Sequence, residues 1–515
     1  MRILLAGSEV HPYSKSGGLG DMLSALAKAL GRAGHQVGVV TPLYRGIRER
    51  FPQIRKFDWW IDLPLGTSRT TAEVWTAEPS ENVTIYFVHQ PRLYDRAGLY
   101  HEGGFEYADN PQRFLFLSKC VAHLARYLPW RPEIVHLHDW QTALTSLFIL
   151  HQKLTEGWWS APRTVLTIHN LAYQGRYPRE VYGFTNLPWD YFNPNGVEFF
   201  GALNCLKGGI SYADYVTTVS ARYAREITTP EYGELLDGAL RLRQLGGSLV
   251  GILNGVDYDE WNTSSNPHLK IAYSSRNLAG KAANKLELQR ELGLPVRPEL
   301  PLFATITRLV DQKGIDIELG ALEEMLAADL QFVMLGSGAE HYERACRALA
   351  RRYPDKAGVR IGFDPPLSHR IEAGADFFLM PSRFEPSGLN QMYSLRYGTV
   401  PIVRITGGLD DSVTDISESP RQANGIKFGE YSVRALSKAI RKGLALFAQP
   451  NLLRRYRRNG MKVDFSWAKT AGEYVELYGR LGGTGGPGKG VKEGIISLER
   501  CERRARILTV RGKGP

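Results

Sequence analysis

Arg2-Ile3-Leu4-Leu5-Ala6-Gly7, Lys15-Ser16-Gly17-Gly18-Leu19-Gly20-Asp21 and Gln36-Val37-Gly38-Val39-Val40-Thr41 follow one another at the start of the chain. The first is a short apolar run bounded by Ser8, Glu9 and His11. That is too brief for the apolar core of a signal peptide and right for a buried strand. Residues 21–32 then set Leu23, Leu26, Ala27 and Leu30 at helical spacing, and Gly34 fits a helix terminator. The third stretch is a second apolar strand. Strand, helix and strand in this order predict a parallel sheet with crossover helices.

Working outward, the same alternation continues. Residues 133–138, 164–168 and 215–219 read as strands, and Ser220 suits a helix N-cap. A second series opens near residue 300. It has strands at 302–307, 331–335, 377–380 and 400–403, a helix at 316–327, and Gly336-Ser337-Gly338 closing the second strand. The fold class is therefore α/β, in two halves that meet near Ile252-Leu253-Asn254-Gly255-Val256. The expected division is one domain over 1–250, a second over 251–465, a closing helix over 466–481 and a Gly-, Lys- and Arg-rich tail over 482–515, expected to be disordered.

The chain has 515 residues, 43% hydrophobic and 23% charged, which suits large buried cores. No apolar run is long enough for a spanning helix, so no membrane association is expected. The formal charge is +11. Residues 482–515 carry eight Lys/Arg against three Glu, so the tail accounts for +5 and the body for only +6. A body so mildly basic argues against nucleic-acid binding. Cys120, Cys205, Cys346 and Cys501 are scattered singly. That pattern fits reduced thiols and a cytoplasmic location rather than a disulfide frame or a zinc site.

Two segments suit anions. In the Lys15–Asp21 loop, glycines let backbone N–H groups approach an anion closely, and a helix opening there adds unpaired donors and a positive partial charge. It is neither a P-loop nor a dinucleotide-binding Gly-x-Gly-x-x-Gly fingerprint, which argues against a nicotinamide dehydrogenase. The second segment is Arg383-Phe384-Glu385-Pro386-Ser387-Gly388-Leu389-Asn390-Gln391, with Arg308 and Lys313 upstream. Cations after a strand suit a diphosphate clamp, because a leaving group gains negative charge as it departs; an ordinary surface pair is the other reading. Glu385 could face a sugar or a cationic sugar-like transition state, as in glycoside chemistry, or simply form a salt bridge. Two such segments in two halves suggest one nucleotide-sugar held in a cleft between them.

Three further segments have two readings each. His136-Leu137-His138-Asp139 puts two histidines on one strand face, which fits metal binding or plain hydrogen bonding. Asp257-Tyr258-Asp259 resembles an Asp-x-Asp metal motif but follows the turn signal Asn254-Gly255. His169-Asn170-Leu171-Ala172-Tyr173-Gln174-Gly175 ends a strand with groups that can bind sugar hydroxyls and one sugar face, or that merely structure a loop.

Taken together, these segments resemble the bacterial glycogen synthase and plant starch synthase family, from Ile3 to about Tyr478. Supporting blocks include the Lys15–Asp21 loop, His138-Asp139-Trp140, the His169–Gly175 stretch, Leu206-Lys207-Gly208-Gly209 and Gly251-Ile252-Leu253-Asn254-Gly255-Val256-Asp257. Others are Arg308-Leu309-Val310-Asp311-Gln312-Lys313-Gly314, Pro381–Pro386, Thr406-Gly407-Gly408-Leu409 and Asp464-Phe465-Ser466-Trp467.

The resemblance implies two Rossmann-like domains facing across a deep cleft (the GT-B architecture). It implies glucose transfer from ADP-glucose to the non-reducing end of an α-1,4-glucan, with retained configuration and no cofactor or metal. It implies an N-terminal acceptor domain and a C-terminal nucleotide-sugar domain, with the last helix crossing back onto the first. By the same resemblance the catalytic set is Glu385, His169, Asp139, Arg308 and Lys313. The donor-binding set is Lys15, Gly17, Gly18, Asp21, Asn254, Phe363, Gly388, Leu389 and Asn390, with Phe363 against adenine. Ser387 stands where many members have cysteine, Asn390 where many have threonine and Ser394 where many have glycine. None of these changes removes a charge, and UDP-glucose remains the alternative donor; the other alternative, a non-catalytic glucan-binding protein on this scaffold, would have been favoured by loss of Glu385, Arg308 or Lys313, and all three are present.

Overall fold

The computed structural model describes residues 1–482; the basic tail lies outside the described residues, save Gly482, which closes the last helix. By its internal contacts the chain forms two compact units. The first comprises Met1–Val219, Ala224–Ile252 and the chain from Thr470; the second comprises Ser220–Tyr223 and Leu253–Lys469.

The first unit is built on a nine-stranded sheet. Its strands in chain order are β1 (Arg2–Ala6), β2 (Gln36–Pro42), β3 (Arg55–Leu65), β4 (Ser68–Ser80), β5 (Val83–His89), β6 (Ile134–His138), β7 (Arg163–Ile168), β8 (Tyr215–Thr218) and β9 (Leu249–Gly251). Across the sheet they run β9-β8-β7-β6-β1-β2-β5-β4-β3. β1 lies in the middle, parallel to β2 and β6, with Ile3 opposite both Val37 and Ile134. Its residues Ile3 to Ala6 have no exposed surface, as expected for a strand covered on both faces.

The crossover helix α1 (Gly18–Arg32) buries Leu23, Leu26, Ala27 and Leu30, the stripe the spacing predicts. Gly34 follows it at φ +82°, its N–H bonded to the carbonyl of Gly31, a glycine stop of the left-handed type. The helix begins three residues before the expected Asp21, so Gly18 lies in its first turn and Gly17 is its N-cap.

The chain turns back after β2. Strands β3 and β4 form a long antiparallel hairpin that joins the sheet through β5, an extension the parallel-sheet reading does not contain. β3 stands at the edge of the sheet, and its pairing with β4 slips between Phe57 and Trp60. At the other end of the chain, helix α2 (Trp467–Gly482) buries Tyr474 and Tyr478 in the first unit. The Tyr478 hydroxyl lies 2.7 Å from His136 Nδ1 of β6.

The second unit has a six-stranded, fully parallel sheet of β10 (Leu302–Leu309), β11 (Gln331–Gly338), β12 (Ala357–Ile361), β13 (Phe377–Met380), β14 (Val400–Arg404) and β15 (Ile426–Phe428). Their order is β12-β11-β10-β13-β14-β15. One core layer gathers Phe303, Phe332, Met334, Phe377 and Leu436, the other Leu302, Val333, Leu335, Ile371 and Phe378. Alternation along β10 and β11 supplies both faces. Among the described residues, no helix is long and apolar enough to cross a membrane.

The second core also encloses acids. Glu318, on the helix Ile315–Met325, has no exposed surface. Its Oε1 accepts from the Thr305 hydroxyl, while Oε2 has no partner among the described residues. Burial pushes this carboxyl up to about 8. A carboxyl whose folded pKa exceeds its unfolded value (about 4.3) holds more protons folded than unfolded. Stability from this site is therefore present at low pH and lost as pH rises from the unfolded value through about 8. Glu318→Gln removes that titration. Its urea midpoint should fall less between pH 5 and pH 8 than that of the unmodified chain, and equal slopes would refute the assignment.

Candidate active site

In an open parallel sheet, the crevice for a ligand lies at the carboxyl ends of the strands where the strand order reverses. In the first unit β2 is laid on one side of β1, and the chain later returns to place β6 on the other. In the second unit β11 and β12 extend one way from β10, and β13 begins the other way. The candidate residues follow these strands in both units.

After β1, Glu9 organises the glycine loop. It is 3% exposed. Its Oε2 accepts from the backbone N–H groups of Ser16 (2.5 Å) and Gly17 (3.3 Å), and its Oε1 from the Ser16 and Tyr100 hydroxyls, both at 2.6 Å. Two of the loop's N–H groups are thus spent inside the protein, and the free donors belong to the first turn of α1. Gly17 and Gly18 are not at positive φ, and a Cβ on either would meet no atom within 4 Å. Nothing in the fold demands glycine there, so the open space suits close approach of a ligand. Gly20 differs, since its Cβ would lie 2.9 Å from the Ser14 carbonyl. Lys15 Nζ is paired with Asp21 at 2.6 Å, both side chains substantially exposed.

After β6 comes Asp139, at φ +58° and ψ −175°. Such a backbone is costly for a residue with a Cβ and persists where surroundings impose it. Its carboxylate accepts from the His169 N–H at 2.8 Å and from that of Asn170. It thereby pins the turn that leaves β7. Enclosure by protein pushes the Asp139 carboxyl up to about 7, against the pull of those two donors, and His169 down to about 3. Both residues are only partly buried. His136, the other histidine of the possible metal pair, has both ring nitrogens engaged, by the hydroxyls of Tyr478 and Thr167. Among the described residues, no group of three or more His, Cys, Asp or Glu could hold a metal ion.

In the second unit, Arg308 sits near the end of β10, exposed, with no ion pair or side-chain hydrogen bond among the described residues. Lys313 closes the short turn Asp311–Lys313. Gly314 then takes φ +74°, and a Cβ there would come within 2.2 Å of the Pro381 carbonyl, so the turn lies tight against the segment after β13. Lys313 Nζ meets Glu385 Oε2 at 2.5 Å, and the Ser382 hydroxyl donates to the same oxygen at 3.0 Å. Glu385 is 6% exposed. The expected clamp lysine and the expected sugar-facing carboxylate are thus partners.

Behind them, the Gly408 N–H donates to the carbonyls of Glu385 and Pro386, both at 3.1 Å. Gly388 is left-handed at φ +66° and leads into the helix Asn390–Tyr397, capped by Leu389. The Asn390 side chain is spent on the Ile306 carbonyl at 2.6 Å, leaving its backbone N–H at the helix start. Phe363, just past β12, is 86% exposed. Asn254 is buried, and its Oδ1 has no partner among the described residues. The Asp257 carboxylate accepts from the Asp259 N–H at 2.9 Å, which is the turn reading of that segment.

Among the described residues, the first unit offers a helix start and the Lys15–Asp21 pair, and the second offers the unpaired Arg308, the Lys313–Glu385 pair, a helix start and the unsatisfied amide oxygen of Asn254. These are groups for a diphosphate and a hydroxylated sugar. The description "Starch synthase catalytic domain" matches residues 2–242, and "Glycosyl transferases group 1" matches 290–463. A glycogen synthase of Anaeromyxobacter dehalogenans is 46% identical over 482 residues, covering 93% of this chain and 99% of that protein. The chain belongs to the glycogen synthase and starch synthase family of glycosyltransferases.

Other members lie at similar distance. A glycogen synthase of Thioalkalivibrio sulfidiphilus is 45% identical over 93% of this chain and 99% of its own length. Among solved structures, the catalytic domain of starch synthase IV from Arabidopsis thaliana, bound to ADP and acarbose, matches with a TM-score of 0.82. It is 32% identical, covering 93% of this chain and 99% of that one. Sucrose-phosphate synthase from Thermosynechococcus elongatus (TM-score 0.58, 17% identity, 93% and 98% covered) shares the fold alone. The chain is therefore a glycosyltransferase of the GT-B architecture, built from two α/β units, one on a mixed, mainly parallel sheet and one on a fully parallel sheet.

Proposed function

We propose that this family member transfers glucose from ADP-glucose to the non-reducing end of an α-1,4-glucan, retaining the anomeric configuration. The observation that carries the reading is the set that follows β10 and β13 at the reversal point of the second sheet, the unpaired Arg308 and the Lys313–Glu385 pair. Arg308 and Lys313 take the diphosphate, and with the backbone N–H groups around Gly388, Leu389 and Asn390 they stabilise the charge that builds on departing ADP. Glu385 faces the transferred glucose. Phe363 stacks on adenine, and Asn254 Oδ1 accepts from a donor hydroxyl.

In the first unit, Lys15 exchanges Asp21 for donor phosphate, with Gly17 and Gly18 leaving room for it. Asp139 and His169 line the sugar. The acceptor hydroxyl attacks from the face the nucleotide leaves, and a phosphate oxygen takes its proton. Domains 1–250 and 251–465 are proposed to serve acceptor and donor, with 466–481 as the closing helix. The buried free cysteines Cys120, Cys205 and Cys346 fit a cytoplasmic site of action.

The test uses labelled ADP-glucose or UDP-glucose with glycogen. Label should enter polymer from ADP-glucose, and no incorporation from either donor would overturn the proposal. Faster transfer from UDP-glucose would reassign the donor. Because side-chain cations do the clamping, exhaustive chelation should leave the rate unchanged. Strict dependence on added Mn²⁺ would mean that the two cations are insufficient.

A further inference from the structure

His138 is absent from the roles above, yet it is the ring in contact with His169. It ends β6 with no exposed surface. Its Nδ1 lies 3.1 Å from His169 Nε2. Its other nitrogen, Nε2, is buried and has no hydrogen-bond partner among the described residues. On its far side is the His136 ring, 4.2 Å away between centroids. The backbone of His138 is fixed as well, its N–H donating to the Thr142 hydroxyl at 3.0 Å.

Two imidazole nitrogens at this distance share one proton, and a neutral ring carries only one. Burial keeps these rings neutral, holding His169 down to about 3 and His138 well below its ordinary value. If His169 carried the shared proton on Nε2, His138 would accept at Nδ1 and carry its own proton on Nε2. That would be a buried N–H with nothing to receive it. With the shared proton on His138, the unpaired Nε2 is only a lone pair. Orphaned buried N–H groups are the rarer and costlier defect.

We infer that His138 is a positioning residue that sets the tautomer of His169: it donates from Nδ1 to His169 Nε2, and so holds the His169 proton on Nδ1. That nitrogen has no hydrogen bond among the described residues and belongs to a residue that is only partly buried. His169 is thereby presented as a hydrogen-bond donor to a sugar hydroxyl oxygen. The functional part rests on the proposed reading of His169 as a sugar-lining residue; the tautomer itself does not.

The experiment therefore has two arms. Histidine-selective ¹⁵N labelling of the full chain, with the His169 resonances identified by their loss in His169→Asn, reads the tautomer without any substrate. A protonated Nδ1 and an unprotonated Nε2 on His169 are expected; a proton on Nε2 overturns the inference. In the second arm, His138→Leu removes the donor, whereas His138→Asn places an amide N–H close to the lost Nδ1. His138→Leu should lower kcat at least about tenfold with little change in donor KM, as when a partner that orients a functional histidine is lost. His138→Asn should recover most of that rate. Equal loss in both variants would reduce His138 to packing and overturn its positioning role. Full activity of His169→Ala would instead sink the reading of His169 while leaving the tautomer result standing.

Discussion

Glu385→Ala is expected to lose about a thousandfold or more in the rate of glucosyl transfer, the scale on which electrostatic groups at a reacting centre act, while its melting behaviour changes little. The carboxylate is 6% exposed, and among the described residues its side-chain hydrogen bonds are to Lys313 and Ser382. The informative companion is Glu385→Gln, which keeps the shape and one acceptor for Lys313 but not the charge. If charge opposite a cationic sugar is what matters, Gln should be nearly as damaging as Ala. If Glu385 merely holds Lys313 in place, Gln should retain most activity, and that result would remove the carboxylate from the sugar side.

The second large effect concerns the cations. Arg308→Ala and Lys313→Ala should each lower kcat/KM by about 2–4 kcal/mol of transition-state stabilisation, the cost of losing one preorganised partner of developing charge. The two should differ in kind. Arg308 is exposed and unpaired, so its loss should leave thermal stability unchanged. Lys313 is 18% exposed in its side chain and paired, so its loss leaves a nearly buried carboxylate without its cation and should lower the melting temperature too. Because Lys313 and Glu385 are in direct contact, the double variant should be far less impaired than the sum of the two single losses. Additive losses would show that the pair does not act as a unit, and wild-type rates in either single variant would remove the clamp.

The framework was legible because its signals were local. β1, α1 and β2 were readable from apolar runs and helical spacing, and residues 377–380 from one uninterrupted apolar run. The hairpin of β3 and β4 was not. Its strands carry Lys56, Asp58, Asp62 and Pro64 among the apolar residues, and the slip between Phe57 and Trp60 breaks the two-residue alternation. The candidate residues were legible as motifs, but their partners were not. Glu9 is one acid after one strand. Its grip on Ser16 and Gly17 arises only when the loop folds back over the strand end. The signal that could have found it is an acid just past the carboxyl end of a buried strand, eight residues before a glycine cluster. Lys313 and Glu385 lie 72 positions apart, a distance over which spacing says nothing and only the return of the chain beside β10 brings them together.

The rim of the large sheet has a consequence for an enzyme that works on a polymer. Where many copies meet in solution, an unpaired strand margin would invite neighbouring chains to zip together into insoluble aggregates. The outermost ribbon, Arg55–Leu65, counters this with charged residues of both signs, a proline that cannot donate and an irregular pleat. Smoothing that ribbon into a regular apolar one would endanger solubility long before it touched turnover.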